Sequence, residues 1–411
     1  MRLSHHLALL GTALACLATP VQAAEKAEVL HWWTSGSESA AVNEFKKAFT
    51  AAGGEWTDAA VAGGGGETAR AVGINRIIGG NPTTAMQFNT SQQFYELIDK
   101  GLLQPLDAVA AKDNWAKVIN PVIYNAVSKN GHVYAAPVNI HSNVWLWFSP
   151  AALKKAGVEA PKTWDDFFTD LEALKKAGII PLAQSGDAWT QNLTFMNVLI
   201  GAGGPDLYLK IFKDRDINAI KSPEFKKVAD ILAKMRNYVD DGVQGRQWNQ
   251  AIGLVINGQA GFNFMGDWAK GEIVVAGKVP GTDVGCIPGL GKPTYWIGGD
   301  VFVFPKQKDA NALKAQELLA HVMLSPETQV AFNNKKGSAP VRADVDTSTM
   351  DACGKQGVAL LGSGAFVPGS DMLVNPDVAG QLNDLAGTFF SDKSKTAADF
   401  VDALAKIVSS Q

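Results

Sequence analysis

The sequence predicts an α/β protein built as two lobes. Three observations carry that prediction: short apolar strands alternate with helices over residues 25–100, the pattern turns mostly helical after Ser149, and the chain is 411 residues long. A chain of that length exceeds what one compact core organises and suits about two domains.

The first segment is expected to be removed. Arg2, an apolar run from Leu7 to Leu17 and the small-x-small sequence Val21-Gln22-Ala23 read as a secretory signal peptide over residues 1–23, with the mature chain starting near Ala24. Cys16 raises a lipoprotein alternative, which Ala13-Leu14-Ala15 fit poorly, so soluble export is the expectation. Val29 to Trp32 then reads as a strand. Ser35 with Glu38 three residues later forms a capping box, opening a helix whose Val42, Phe45 and Phe49 share a face. Gly63 to Gly66 is a loop, Glu67 to Ile78 a helix stopped by Gly79-Gly80, and Thr84 to Phe88 a second strand. A helix from about Ser91 to Lys100 ends at Gly101.

His132 to Asn139 is an extended apolar run whose Pro137 belongs at a sheet edge or strand end, and the chain is expected to change lobes just after it. From Ser149 to about Ile297 the pattern gives helices near Trp164 to Lys176, Leu193 to Ile200, Pro223 to Asp240 and Trp248 to Asn257. Gly298-Gly299-Asp300 opens the apolar run Val301 to Phe304, a strand returning to the first lobe. The expected division is residues 24–138 plus 301–345 for the first lobe and 139–300 plus 346–411 for the second, more helical one.

Composition excludes several classes. With 37 Lys and Arg against 40 Asp and Glu, a net charge of −3 and no dense basic run, nucleic acid is not an expected partner. Beyond the signal no stretch of about 18 apolar residues recurs to span a membrane as a helix. Cys286 and Cys353 remain after cleavage. An even number in an oxidising compartment makes one disulfide the expectation, with two buried thiols as the alternative.

Motifs for chemistry are sparse. The Gly63 to Gly66 loop lacks the Lys-Ser or Lys-Thr of a P-loop and the spacing of a dinucleotide fold, and reads as a connection whose backbone can approach a ligand. The six histidines make no metal-binding pair, and no Cys-x-x-Cys or Gly-x-Ser-x-Gly occurs. No cofactor is implied. Tryptophan carries the signal: Trp32 and Trp33 stand side by side before Glu38, and of Trp115, Trp145, Trp147, Trp164, Trp189, Trp248, Trp268 and Trp296 several neighbour polar loop residues. A pyranose has a C–H face that indoles cover and a hydroxyl rim that carboxylates, amides and a Lys satisfy.

These residues give the chain a resemblance, over essentially the whole mature sequence, to the sugar-binding proteins of ATP-dependent importers, and within them to the bacterial periplasmic glucose-binding proteins. It is carried by Leu30-His31-Trp32-Trp33-Thr34-Ser35-Gly36, Gly65-Gly66 with Ala69-Arg70-Ala71-Val72, Met86-Gln87-Phe88-Asn89 and Ala136-Pro137-Val138-Asn139-Ile140-His141. Pro161-Lys162-Thr163-Trp164-Asp165-Asp166-Phe167, Phe262-Asn263-Phe264-Met265-Gly266-Asp267-Trp268 and Lys335-Lys336-Gly337-Ser338 continue it. The resemblance implies a two-lobed periplasmic-binding-protein fold with a hinge and a ligand cleft between the lobes. It implies a monomer in the periplasm that takes a monosaccharide, glucose first, to an ABC permease of the inner membrane, with a chemoreceptor as a further reader, and no enzyme activity.

Carried over residue by residue, the resemblance makes Trp32, Trp33, Glu38, Gln87, Asn89, His141, Trp248, Trp268, Asp300 and Lys336 the ligand-binding set. Glu38 keeps a second reading as part of the capping box, and His141 as a satisfied structural histidine beside the crossover. Two departures bear on the choice of sugar: the segment Val367 to Asn375 lacks the His that related glucose binders place there, and His141-Ser142-Asn143 stands where Arg-Ser-Asn is usual. Both would shift preference toward galactose, xylose or another sugar. A secreted glycoside hydrolase, which needs two carboxylates facing one bond, and a binder of a quaternary ammonium ion in an aromatic cage remain the alternatives.

Overall fold

Five strands from distant parts of the chain make the first sheet. The computed structural model describes residues 25–90 and 92–410, so the signal segment, its cleavage site and Cys16 lie outside the described residues. In chain order the strands are β1 (Glu25–His31), β2 (Gly54–Ala60), β3 (Ala85–Asn89), β4 (Ser128–Lys129), β5 (His132–Val133), β6 (Ala135–Pro137), β7 (His141–Ser142), β8 (Trp145–Phe148), β9 (Ile180–Leu182), β10 (Ala260–Phe264), β11 (Gly285–Pro288), β12 (Tyr295–Gly298), β13 (Asp300–Val303) and β14 (Phe366–Pro368). The first sheet runs β2-β1-β3-β13-β6, the second β11-β8-β10-β9 and a third β14-β12-β7, with β4 and β5 paired alone. β1 is parallel to β2 and β3, whereas β13 inserts antiparallel between β3 and β6.

Two hydrophobic cores follow from this order. One runs from Ala27 to Ile140 and takes in Tyr295, Ile297 and residues from Val301 to Met350. The other runs from Val144 to Leu290 and adds Trp296, Cys353 and residues from Val367 to Val408. The chain therefore passes between cores near residues 140–144, 290–301 and 350–353.

Local chemistry explains the helix starts. Ser35 and Glu38 cap the helix Gly36–Ala51 reciprocally, and Thr163 and Asp166 do the same for Trp164–Lys176. Each such cap is worth about 1 kcal/mol. Glu67–Ile78 forms a helix with the bounds its sequence suggests, and Pro137 ends an edge strand. Among the described residues no helix is long and apolar enough to cross a membrane.

Three expectations need correction. The second half is not merely helical but holds the β11-β8-β10-β9 sheet; β8 reads Trp-Leu-Trp-Phe and β10 is buried along its whole length, so neither alternates visibly. The segment expected to be a helix from Ser91 to Lys100 is a short 3₁₀ turn, Gln92–Phe94, followed by the helix Tyr95–Asp99. The helix expected from Leu193 starts at Ala188, and Leu199–Gly203 closes it as a π turn.

One buried acid is out of keeping with its helix face. Asp170 lies among Phe167, Phe168, Leu171 and Leu174, one Oδ atom is buried without a partner, and burial, aided by the charge of Asp166, pushes its carboxyl up to about 6. The folded chain thus holds a proton that the unfolded chain releases near pH 4, so this group's contribution to stability falls as pH rises from about 4 to about 6. Asp170→Asn is expected to stabilise the protein by about 1–2 kcal/mol near pH 7 and by almost nothing near pH 4, read from urea unfolding at the two pH values.

Candidate functional site

A cleft of about 760 Å³ opens between the two cores, within the range of about 300–1,000 Å³ that small-molecule pockets occupy. Nine of the ten sequence-predicted residues line it: Trp32, Trp33, Glu38, Asn89, His141, Trp248, Trp268, Asp300 and Lys336. Gln87 does not. It is fully buried behind the wall, where its Nε2 donates to Asp300 Oδ1 at 3.1 Å and its Oε1 accepts from the Trp32 amide at 3.1 Å.

The paired tryptophans do different things because adjacent side chains leave an extended segment on opposite sides. Trp32, just past the end of β1, is half-buried against the cleft with the Arg70 guanidinium 5.4 Å from its ring centroid. Trp33 turns the other way and is only 1% exposed, packed on Phe332, Phe302 and Phe45 at centroid separations of 5.2, 5.7 and 6.4 Å. It can offer the cleft an edge and not an open face. The glycine loop fits beneath Trp32: Gly66 has φ of +93°, and a Cβ there would lie 2.6 Å from the Trp32 ring, so a side chain is barred on both counts. Gly65 brings the same loop against Trp189, whose ring a Cβ would approach to 3.3 Å.

The charged inner end is a single network. Asp300, 3% exposed, accepts from Gln87 Nε2 at 3.1 Å and Asn89 Nδ2 at 3.2 Å through Oδ1, and from Asn139 Nδ2 at 2.9 Å and His141 Nε2 at 3.1 Å through Oδ2. Those four donors fill the roughly four lone-pair sites of a carboxylate. On its other side His141 Nδ1 bonds Asp267, whose second oxygen accepts from the Ser142 amide at 2.9 Å. Burial alone would raise the Asp300 carboxyl, but the bond and charge of His141, the charge of Lys336 and the Asn139 amide outweigh it and hold it below the usual range. Burial likewise opposes charge on His141, and Lys336 repels it. Asp267 and Asp300 outweigh both and hold the imidazolium above its ordinary range. The line Asp267–His141–Asp300 lies across the chain crossings at β7 and between β12 and β13, so the residues that face the cleft are also those that join the lobes.

Lys336, 3% exposed, sits 5.7 Å from the ring centroids of both Trp33 and Trp268 and 3.6 Å from Glu38 Oε1. Glu38 lines the cleft and also closes the capping box, its other oxygen accepting from the Ser35 amide at 3.3 Å. Trp268 meets His141 edge-on at 5.1 Å and Trp189 at 6.2 Å.

Sequence reasoning did not single out Trp189, Arg70, Asn192, Asp371 and Asn383, which also line the cleft. Asp371 is held above its usual range by burial, in spite of the Arg70 charge. Asn192 and Asn383 sit in segments with no sugar-site pattern, whereas Asp371 lies in the Val367 to Asn375 segment where related glucose binders place a His, Arg70 lies inside a quoted motif, and Trp189 next to Asp187 and Thr190 was as polar a context as that of Trp248. The predicted disulfide is present: Cys286 in β11 joins Cys353 at the start of the helix Ala352–Ser363.

Comparison with known proteins follows the same outline. The family model of the bacterial extracellular solute-binding proteins matches residues 33–330. A probable sugar-binding periplasmic protein of Brucella melitensis is 44% identical over 362 residues, covering 86% of this chain and 85% of the relative. An uncharacterized ABC transporter extracellular-binding protein of Pyrococcus horikoshii is 30% identical over 408 residues, covering 94% and 89%. Among solved structures, the bacterial solute receptor AcbH, with an exclusive preference for β-D-galactopyranose, matches with a TM-score of 0.77 at 21% identity over 94% of this chain and 97% of that one.

Proposed function

This chain belongs to the bacterial extracellular solute-binding protein family and has its two-lobed fold, and we propose that it is the periplasmic sugar receptor of an ABC importer, capturing one monosaccharide, glucose first, for delivery to the permease. The observation that carries the reading is the cleft itself. Four half-buried indoles, those of Trp32, Trp189, Trp248 and Trp268, line one cavity whose inner end holds a buried ammonium, a buried imidazole and carboxylates. Indole faces suit the C–H surface of a pyranose, and charged partners suit its hydroxyls.

Members of this family are solute-binding proteins and not enzymes, which sets the glycoside hydrolase alternative aside. The aromatic cage for an external cation gains nothing from the geometry, because Lys336 already stands between Trp33 and Trp268. Specificity among sugars rests on which hydroxyls meet Asn89, Arg70 and Asp371, since a buried donor left unpaired costs about 1–3 kcal/mol.

The test is calorimetric titration of unfolded-and-refolded, sugar-free protein with glucose, galactose, mannose, xylose and maltose. One-to-one binding of a monosaccharide is expected, weakened at least about tenfold in Trp268→Ala. Silence across the whole panel would overturn the sugar reading, and tight binding of maltose alone would overturn the restriction to one ring.

A further inference from the structure

The two cores also touch outside the cleft, and one such contact places a carboxylate on a helix N-terminus. Ser37, buried in the first turn of the helix Gly36–Ala51, donates its amide to Glu272 Oε1 at 3.1 Å and its hydroxyl to the same oxygen at 2.6 Å. Glu272 belongs to the helix Ala269–Val275, whose Ala269 and Ile273 lie in the other core. The two helices come so close that a Cβ on Gly271 would lie 2.7 Å from both Ser37 Cβ and the Lys335 carbonyl. Neither Ser37 nor Glu272 lines the cleft, whereas Ser35 and Glu38, on either side of Ser37, do.

We infer that Glu272 is an affinity-determining residue that never touches the ligand: it caps the first helix from the opposite lobe and so stabilises the closed form. The physical basis is ordinary. Helix N-terminal amides lack intrahelical partners and carry the positive end of the helix dipole, so a carboxylate there is favourable. Here Ser35 supplies the helix's own cap and Glu272 supplies a second acceptor that is in place only when the lobes meet. Any free energy gained by the closed form alone multiplies the apparent affinity of every ligand that needs closure, by the same factor for each. A residue reading a hydroxyl would instead change the ranking of sugars. Glu272 also steadies the turn that presents Glu38 to Lys336, which makes it a positioning residue for the cleft.

The inference uses the hinged closure of the proposed receptor, and its test separates the two. Titration with each binding sugar of the panel is compared for wild type, Glu272→Gln, Glu272→Ala and Gly271→Ala, together with small-angle scattering of sugar-free and sugar-saturated protein. Glu272→Ala is expected to weaken every sugar by about tenfold, chiefly through faster release, with the ranking of sugars unchanged. Glu272→Gln, which keeps an acceptor without the charge, is expected to fall between it and wild type. Gly271→Ala leaves the carboxylate intact but wedges the helices apart, and is expected to act in the same direction. Affinities unchanged in both Glu272→Ala and Gly271→Ala, or a loss confined to one sugar, would overturn the inference. So would a thermal destabilisation equal with and without sugar and no change in affinity, since the contact would then be permanent packing. If wild type binds none of the sugars, the receptor reading fails instead, and a larger radius of gyration of sugar-free Glu272→Ala than of wild type supports the latch while an equal one overturns it.

Discussion

Asp300→Asn is expected to cost about 3–5 kcal/mol of stability and about 100-fold in affinity for whichever sugar the wild-type protein binds. Four donors, from Gln87, Asn89, Asn139 and His141, converge on the two oxygens of this carboxylate. An amide has the same shape but turns one of those oxygens into a donor. Either orientation then faces two donors with a third, and strips the His141 imidazolium of one of its two carboxylates. The stability loss is read by urea unfolding of sugar-free protein and the affinity loss by calorimetry. Affinity within about twofold of wild type would show that the network does not bear on binding, and undiminished stability would show that it does not hold the lobes' junction.

Removal of the Cys286–Cys353 bond is the second large effect. The bridge spans 67 residues of sequence, and the chain-entropy relation gives about 4 kcal/mol for a loop of that size. It acts where the chain has just left the first core, near Met350, and enters the second at Cys353, so it pins the third crossing to β11. Beside it Lys270, itself buried, reaches Asp351 at 3.5 Å. The paired variant Cys286→Ser, Cys353→Ala is expected to unfold in two steps in urea, with the second lobe losing about 4 kcal/mol and the first nearly unchanged. A single transition at the wild-type midpoint would refute this.

How much was legible depended on whether a signal was local. The cap at Ser35 could be read because both halves of its capping box, Ser35 and Glu38, stand three positions apart, whereas the matching box of Thr163 and Asp166 went unread. Helix Glu67–Ile78 was delimited by glycines, and Pro137, expected at a sheet edge or strand end, is at both, closing the edge strand β6. The sheet of the second lobe was not legible, because strands such as β10, covered on both faces, lose the period-two pattern that marks a half-exposed strand. At the site, nine residues found from sequence line one cleft, yet their division of labour was hidden. Trp33 packs into a core and Gln87 supports Asp300 from behind, distinctions that depend on partners such as Phe332, about three hundred residues away. The walls formed by Asn192 and Asn383 had no local signature at all, since ordinary polar residues become a site only where the fold aims them.

The strand order of the first lobe also governs when that lobe can exist. β13 pairs with β3 through Asn89 and Asp300, which are 211 residues apart, and it separates β3 from β6. Until the chain has been made as far as Val303, β3 has an open edge and β6 has no neighbour, and the helix Pro326–Lys336, which buries Phe332 against Phe45 and Trp33, comes later still. Contacts of such long sequence separation form slowly, because loop closure must precede any gain from pairing. A nascent chain therefore lacks a finished first lobe until Lys336 has been made.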